Sequence, residues 1–276
     1  MNILEVRNLS KHFYLRQGLF NKDKIIHKAV DNVSLNIEKN ETFALVGESG
    51  CGKTTLARCI LRLIEVDEGK IILDNVDITN MKGRKLFPLR KKMQIIFQDP
   101  NTSLNPRKTI YDILAEGILL HQIVGKKEVK DYIINILRKV GISENSLHKF
   151  PHEFSGGQRQ RIAIARAISL KPELIICDEA VSSLDVSIQA QIISLLMELK
   201  EQFKLSYLFI AHDLALVKNI SDRIAIMFSG KIVETGKTKE VFSNPSHKYT
   251  QLLISSVPEP DPTLRKNFEK ISNILN

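Results

Sequence analysis

The chain has 276 residues, and 43% of them are hydrophobic, which is enough to bury the core of one large domain or two modest ones. The formal net charge of +9 comes from basic residues that are scattered along the chain. Because no basic helix and no alternation of aromatic and basic residues accompanies this charge, the sequence favours a solvated surface over a nucleic-acid interface.

The N-terminal residues do not resemble a secretory signal, since Glu5 and Arg7 lie where an apolar stretch would be required. No apolar run approaches the roughly 18 residues of a membrane span. Cys51, Cys59 and Cys177 form no C-x-x-C pair, which argues against a structural zinc site and is typical of a reducing compartment. We therefore expect a cytosolic protein.

Two N-terminal stretches, residues 3–9 and 30–37, alternate between apolar and polar side chains well enough to be half-buried strands. The polar stretch between them, residues 15–28, is predicted to be a long exposed loop. Phe13 and Tyr14 precede this loop, and either ring could stack on an adenine. An aromatic residue at a strand end is, however, more often part of a core.

A short apolar run at residues 42–46 leads into the sequence G-x-x-x-x-G-K-T at residues 47–54. A buried strand that delivers a glycine-rich loop to a helix N-terminus forms an anion site, because unpaired N–H groups and the helix dipole converge there. In such a phosphate loop, Lys53 reaches the β and γ phosphates of a nucleotide and the Thr54 hydroxyl ligates Mg²⁺. A plain glycine-rich turn is the alternative, and the preceding apolar strand argues against it. The predicted nucleotide-binding residues of this segment are Gly47, Glu48, Ser49, Gly50, Cys51, Gly52, Lys53, Thr54 and Thr55.

Residues 53–64 have apolar side chains at helical spacing and are predicted to form the helix behind the phosphate loop. A strand and turn at residues 69–75 follow, and a short strand at residues 93–97 ends at Gln98. From there to about residue 170 the strand signals give way to helical ones. The predicted helices of this region are 109–120, 126–140 and 158–168. We interpret residues 99–170 as a helical subdomain inserted into an α/β core.

A second glycine-containing loop precedes the last of these helices. Ser155 and Gln158 match the S-x-x-Q capping box, which accounts for a helix start but not for two glycines. Gly156 and Gly157 leave the amides at this helix end bare, so the chain offers a second phosphate-sized anion site. A monomer that binds one nucleotide needs only one such site.

The apolar run before Asp178 and Glu179 is predicted to be a buried strand, which brings both carboxylates to the sheet edge where ligands of open α/β sheets bind. Asp178 is suited to hold Mg²⁺ together with Thr54, and Glu179 is then able to polarise the attacking water. Asp185 comes just before a long amphipathic helix, residues 186–203, where an aspartate is a good helix cap.

His212 follows another buried strand, residues 206–211, at the same sheet edge as the two carboxylates. We therefore favour a contact between His212 and the γ-phosphate over a packing role. Two short strands, residues 223–228 and 231–234, close the core. The tail from residue 243 contains four prolines and is predicted to form one or two helices followed by an extended segment.

Six motifs occur in the order and spacing of an ABC transporter ATPase domain, which the chain resembles over essentially its whole length. They are G-E-S-G-C-G-K-T at residues 47–54, Gln98, F-S-G-G-Q at 154–158, L-I-I-C-D-E at 174–179, S-S-L-D at 182–185, and His212. Residues 98–107, 184–191 and 247–262 are similar to the oligopeptide/dipeptide/nickel importer subfamily. The insert G-L-F-N-K-D-K and the -G-G-Q- form point to its F-type ATPase subunit.

The resemblance implies an α/β fold with a RecA-like core, an antiparallel β subdomain and an inserted α-helical subdomain. The implied division is residues 1–98 and 171–242 for the core, 99–170 for the helical subdomain with the signature motif, and 243–276 for a C-terminal extension of the oligopeptide-transporter type. Ala180 and Ser183 depart from the family pattern, which has proline and alanine there, but neither change removes a catalytic group.

The resemblance also implies that two ATPase domains pair head to tail, so that each ATP lies between the phosphate loop of one and the signature loop of the other. The signature residues are Ser155, Gly156, Gly157 and Gln158. By this analogy Gln98 senses Mg²⁺ and links to membrane subunits, Asp185 crosses the dimer interface, and Phe13 stacks on adenine, with Tyr14 as the alternative. The implied cofactors are ATP and Mg²⁺. The implied metal residues are Thr54, Gln98 and Asp178, and the implied catalytic residues are Lys53, Glu179 and His212.

The implied partners are a D-type ATPase subunit, two transmembrane permease subunits and an extracytoplasmic solute-binding protein, which would place the chain at the cytoplasmic face of the membrane. The cargo stays open between di- or oligopeptides and nickel, with peptide favoured. A soluble ABC ATPase acting on nucleic acid or ribosomes is an alternative, but it typically needs a second ATPase domain, a coiled-coil insertion or a zinc module. A third hypothesis, a partner that binds ATP without hydrolysing it, is disfavoured by the intact Lys53, Asp178, Glu179 and His212.

Overall fold

The computed structural model describes residues 1–16 and 24–256. The strands are β1 (Asn2–Arg16), β2 (Lys24–Glu38), β3 (Thr42–Val46), β4 (Glu68–Leu73), β5 (Val76–Asp77), β6 (Met93–Ile96), β7 (Leu174–Asp178), β8 (Ser206–Ala211), β9 (Arg223–Phe228) and β10 (Lys231–Lys237). The helices are α1 (Lys53–Ile60), α2 (Phe87–Arg90), α3 (Pro100–Ser103), α4 (Ile110–Leu120), α5 (Val129–Lys139), α6 (Gly156–Ile168), α7 (Val186–Phe203), α8 (Leu214–Ile220), α9 (Thr238–Ser243) and α10 (Lys248–Ser255). Across the described part of the chain, no helix combines the length and the apolar character that crossing a bilayer requires.

Two sheets form the framework of the molecule. One is antiparallel, with the strand order β2-β1-β4-β5, and the other has the order β10-β9-β3-β8-β7-β6. In the larger sheet, β9, β3, β8, β7 and β6 run parallel, and β10 at the edge is antiparallel to β9. Every regular element between residues 99 and 170 is helical. The predicted α/β fold class is confirmed.

β3, the strand before the phosphate loop, is buried on both faces because it lies between β9 and β8. Since successive residues of a strand point to opposite faces, the side chains of β3 are part of two different hydrophobic cores. Phe43 and Leu45 belong to the hydrophobic cluster that includes the antiparallel sheet and α1, whereas Ala44 and Val46 belong to the cluster that includes the helices of the 99–170 region. A continuous apolar run is what such a central parallel strand requires.

The strands β3, β8 and β7 are neighbours, so their carboxyl ends meet at one edge of the larger sheet. Val46 is in register with Ala211, and Asp178 is in register with Ile210. The phosphate loop, the two carboxylates at the end of β7 and His212 after β8 therefore come from adjacent positions, at the edge where ligands of open α/β sheets bind.

The prediction of a loop at residues 15–28 is wrong at both ends. β1 continues to Arg16, β2 begins at Lys24, and the two strands pair in register up to these residues. The centre of the predicted loop, residues 17–23, lies outside the described residues. A two-stranded ribbon that projects into solvent needs no apolar periodicity, as the exposed Ile26 illustrates, so the pattern of side chains did not indicate it.

Some helix ends differ from the prediction. α1 ends at Ile60 instead of residue 64, because Arg62 adopts a left-handed conformation with a φ of 54° that does not continue a helix. α9 and α10 are the helices predicted for the tail. The extended segment predicted to follow them lies outside the described residues.

Candidate nucleotide-binding site

Two glycines of the phosphate loop are held tightly between β2 and β9. A Cβ atom on Gly47 would lie 2.1 Å from the carbonyl oxygen of Met227, and one on Gly52 would lie 2.0 Å from that of Ala29. Gly52 also has a φ of 112°, a conformation that residues with side chains rarely adopt. Glycine is therefore required at both positions for steric reasons.

Lys53 begins α1, and only 4% of it is exposed. Its Nζ donates hydrogen bonds to the carbonyl oxygens of Gly47 at 2.7 Å and Glu48 at 2.8 Å. The ammonium group thus lies over the loop, at a helix N-terminus where anions bind. A buried cation that is paired with neutral carbonyl oxygens is well suited to receive a polyphosphate, since charged acceptors form stronger hydrogen bonds.

Asp178, the last residue of β7, faces the start of α1. Its Oδ1 accepts a hydrogen bond from Thr54 Oγ1 at 3.0 Å. Burial raises the pKa of Asp178, the hydrogen bond from Thr54 opposes that rise, and repulsion by Glu179 adds to it. A cation beside this carboxylate would favour its ionised form, so the two oxygen donors fit a divalent cation such as Mg²⁺.

Glu179 occupies the turn after β7 in a left-handed conformation, with a φ of 49°. Its backbone N–H donates to the carbonyl oxygen of Ile210 at 3.0 Å, which ties the turn to β8. Its Oε2 accepts a hydrogen bond from Gln98 Nε2 at 3.0 Å and lies 3.5 Å from Nδ1 of His212. Two side chains from different segments therefore orient the carboxylate that is the predicted general base.

A cavity of about 220 Å³ connects these segments. The lining residues are His27, Ala29, Ser49, Gly50, Gly52, Lys53, Thr54, Thr55, Gln98 and Glu179. A concave site with a few converging polar groups is where a small ligand is expected to bind. The sequence did not predict His27 as part of the site, because its place depends on the pairing of β2 with β1.

Phe13 and Tyr14 are consecutive residues of β1, so their side chains point to opposite faces. Phe13 is the cross-strand partner of His27, which lines the cavity. Because cross-strand partners share a face, Phe13 is on the cavity side, where 39% of it is exposed. The geometry favours Phe13 over Tyr14 as an aromatic platform beside the cavity.

The second predicted anion site is separate from this cavity. Ser155 Oγ accepts a hydrogen bond from the Gln158 N–H at 3.3 Å, and Gln158 Oε1 accepts one from the Ser155 N–H at 3.0 Å, so the capping box is present. A Cβ atom on Gly157 would lie 2.7 Å from Cγ2 of Ile188 in α7, and Gly156 lies beside Leu184. The four signature residues are not among those lining the cavity around Lys53.

Asp185 occupies the N-cap position of α7, but its side chain makes no capping hydrogen bond. The expectation that its side chain caps the helix is therefore wrong, and the residue is exposed instead. The next residue, Val186, is 83% exposed.

Gln160 links α6 to the turn after β7, a contact that the sequence did not indicate. It is fully buried in α6, and its Nε2 donates to the carbonyl oxygen of Ala180 at 2.6 Å. Ala180 directly follows Glu179. A polar residue on the buried face of a helix was the available signal, since such groups need a partner.

Alkylation of Cys51 is expected to abolish ATP binding. Cys51 is 9% exposed, its Sγ lies 3.8 Å from Lys53 Nζ, and a Cβ atom on Gly47 would lie 2.8 Å from it, so an adduct on this sulfur would crowd the loop and Lys53. Burial raises the pKa of Cys51, with partial opposition from Lys53, so labelling by iodoacetamide should be slow at pH 7 and faster at higher pH. The measurement is ATP binding after labelling to completion, quantified by mass spectrometry.

A Cys51→Ala chain treated in the same way is the control, and it should keep ATP binding. Cys59 and Cys177 are fully buried, and burial raises the pKa of Cys59 to about 12, so both should label more slowly. Unchanged ATP binding by the fully labelled wild-type chain would contradict this prediction.

Comparison with known proteins agrees with this geometry. Residues 30–182 match the family model described as ABC transporter, and residues 233–275 match the model for the C-terminal region of oligopeptide/dipeptide transporters. CbiO1 of Clostridium perfringens, part of an ABC transporter complex, has 28% identity and a TM-score of 0.74, covering 88% of this chain and 91% of that one. A dimeric ATP-binding cassette solved with ADP and Pi has 27% identity and a TM-score of 0.74, and the match covers 85% of this chain and 98% of that one.

The protein is thus an ATP-binding P-loop ATPase, and the chain belongs to the ABC transporter family. Among its relatives, the oligopeptide transport ATP-binding protein OppF of Streptococcus mutans is 52% identical over 98% of this chain and 86% of that relative. OppF of Bacillus subtilis is 48% identical over 96% of this chain and 85% of that relative. The predicted resemblance and enzyme class, a transport ATPase, are confirmed.

Proposed function

We propose that this chain is the ATP-hydrolysing subunit of an importer for di- and oligopeptides. The observation that carries the cargo class is the match of residues 233–275 to the C-terminal region of oligopeptide/dipeptide transporters. The names of several relatives, which are oligopeptide or dipeptide transport ATP-binding proteins, agree with it. Nickel stays the alternative cargo within the predicted subfamily.

We assign the residues of the cavity separate roles in ATP hydrolysis. Lys53 would bind the β and γ phosphates, and Thr54, Gln98 and Asp178 would hold Mg²⁺. When bound, the cation neutralises charge on the phosphates. Glu179 accepts a proton from the attacking water, because its carboxylate is oriented by Gln98. His212, whose Nδ1 lies 3.5 Å from the same carboxylate, contacts the γ-phosphate.

We further propose that the ATP site is completed by a second ATPase subunit of the D type, arranged head to tail. The separation of the signature loop from the cavity supports this arrangement, since the loop offers an anion site that the chain's own nucleotide does not use. The exposed Asp185 and Val186 lie beside that loop and would contact the partner. In this arrangement Ser155, Gly156, Gly157 and Gln158 bind the nucleotide held by the partner.

An apolar groove of about 890 Å³ is a suitable binding site for a segment of a permease subunit. It runs between the α/β core and the 99–170 region. We propose the domain division that the sequence predicts, with residues 99–170 as a helical subdomain and residues 243–276 as a C-terminal extension. Phe87, Leu120 and Leu63 line the groove, and these residues are 36%, 61% and 48% exposed. Phe97 also lines it, directly before Gln98, so an occupant of the groove lies close to the residue that contacts Glu179.

A permease segment in this groove would hold the chain at the cytoplasmic face of the membrane. The complete importer would contain two permease subunits and an extracytoplasmic solute-binding protein. The apolar lining of the groove does not suit nucleic acid, which calls for basic contacts, so we propose no nucleic-acid partner.

Reconstitution of the importer tests the proposal. The chain, its D-type partner and the two permeases are placed in liposomes, and ATP hydrolysis is measured with the binding protein loaded with a peptide or with Ni²⁺. We expect hydrolysis to rise with the peptide-loaded protein and not with Ni²⁺. Stimulation by Ni²⁺ alone would overturn the peptide assignment, and absence of ATP hydrolysis under both conditions would overturn the catalytic assignment.

A further inference from the structure

The last helix of the described residues, α10, is tied to the core by the two residues just before it. The backbone N–H groups of Ser246 and His247 donate to the two carboxylate oxygens of Glu234 in β10, at 2.8 and 3.0 Å. His247 Nδ1 then accepts a hydrogen bond from the Tyr249 N–H at 3.1 Å and caps the helix. These bonds determine where the side chain of Tyr249 can reach.

Tyr249 reaches the phosphate loop, which is 201 residues away in sequence. Its ring packs against Phe228 at the end of β9, with ring centroids 4.4 Å apart and planes inclined by 39°. Its hydroxyl oxygen accepts a hydrogen bond from the backbone N–H of Glu48 at 3.1 Å. Burial raises the pKa of Tyr249, so the hydroxyl stays neutral at physiological pH and acts as a neutral acceptor.

The peptide group between Gly47 and Glu48 is therefore bonded at both of its ends. Its N–H donates to Tyr249, and its carbonyl oxygen, that of Gly47, accepts the 2.7 Å hydrogen bond from Lys53 Nζ. A peptide group is planar, so fixing the N–H also fixes the direction of the carbonyl oxygen. The contact with Tyr249 thus sets the orientation of the group that holds the Lys53 ammonium.

We propose that Tyr249 is a positioning residue for the phosphate loop, through which the C-terminal extension sets the affinity for ATP. The inference rests on the proposed nucleotide role of Lys53. Tyr249 does not touch the reacting atoms, so its loss affects nucleotide binding and not the chemical step. A single neutral hydrogen bond contributes modestly, and removing it should weaken ATP binding roughly two- to tenfold.

Tyr249→Phe tests this inference in the full chain, because it removes the hydroxyl and keeps the ring against Phe228. The matched control is Tyr132→Phe, which removes a hydroxyl that donates to the carbonyl oxygen of Ser169 at 2.9 Å, in the helical region. The measurements are the Kd for fluorescent mant-ATP, the KM and kcat of the reconstituted importer, and deuterium exchange of a peptide covering residues 43–56.

For Tyr249→Phe we expect a two- to tenfold higher Kd and KM, an unchanged kcat, and faster exchange in the 43–56 peptide. Tyr132→Phe should leave all of these values at the wild-type level. Wild-type Kd and exchange in Tyr249→Phe would overturn the inference, as would a fall in kcat at constant KM. Global unfolding of this variant would also overturn it, since the role assigned to the hydroxyl is local. If the wild-type chain itself binds no mant-ATP, the proposed function fails instead.

Discussion

Glu179→Gln is expected to bind ATP as the wild-type chain does and to lose at least about a hundredfold in turnover, the range of a missing general base. The amide has nearly the shape of the carboxylate and its oxygen can still accept the hydrogen bond from Gln98, but it does not take a proton from water. Repulsion by Glu179 contributes to the raised pKa of Asp178, so removing the charge should not weaken binding of MgATP. The variant should therefore accumulate as a stable ATP-bound closed dimer.

The measurements are ATP affinity, phosphate release and the size of the complex in the presence of ATP, with the D-type partner added. Glu201→Gln, an exposed change on α7, provides the control and should hydrolyse ATP at the wild-type rate. Hydrolysis near that rate by Glu179→Gln would mean that another group is the base.

Lys53→Ala is expected to lower the affinity for ATP by about a hundredfold or more, because a hydrogen bond to a charged group contributes about 1.5–3 kcal/mol and the lysine meets two phosphate groups. The side chain is buried over the loop, so no other cation replaces it easily. The carbonyl oxygens of Gly47 and Glu48 would also lose the hydrogen bonds from Lys53. Their partial negative charge would then be uncompensated and would repel the phosphates.

Titration of the variant with mant-ATP measures this loss, and Lys126→Ala, at an exposed site far from the loop in sequence, serves as the control. Thermal unfolding without nucleotide shows whether the variant is folded, and we expect a folded chain because Lys53 makes its hydrogen bonds within its own loop. ATP affinity within threefold of the wild type, roughly 0.6 kcal/mol, would exclude Lys53 as the main phosphate ligand.

Much of the candidate site could be predicted from local sequence, because the structure of each part is determined by residues that are close neighbours in the chain. The phosphate loop needs only a strand, glycines at two crowded positions and a lysine at the start of α1. The pair Asp178 and Glu179 is placed by the apolar run just before it. Parallel strand ends meet at one edge, so the order of the strands was sufficient to bring these parts together.

What the amino-acid sequence determined by itself was the fold class, the phosphate loop, the carboxylates and the family. Only the tertiary structure revealed His27 in the cavity, the contact of Gln160 with the turn after β7, the missing capping hydrogen bond of Asp185, and Tyr249 on the phosphate loop. The physical reason is distance along the chain. The contacts of Gln160 and Tyr249 join residues 20 and 201 positions apart, and that of His27 depends on strand register, so neither helical spacing nor strand alternation indicates them.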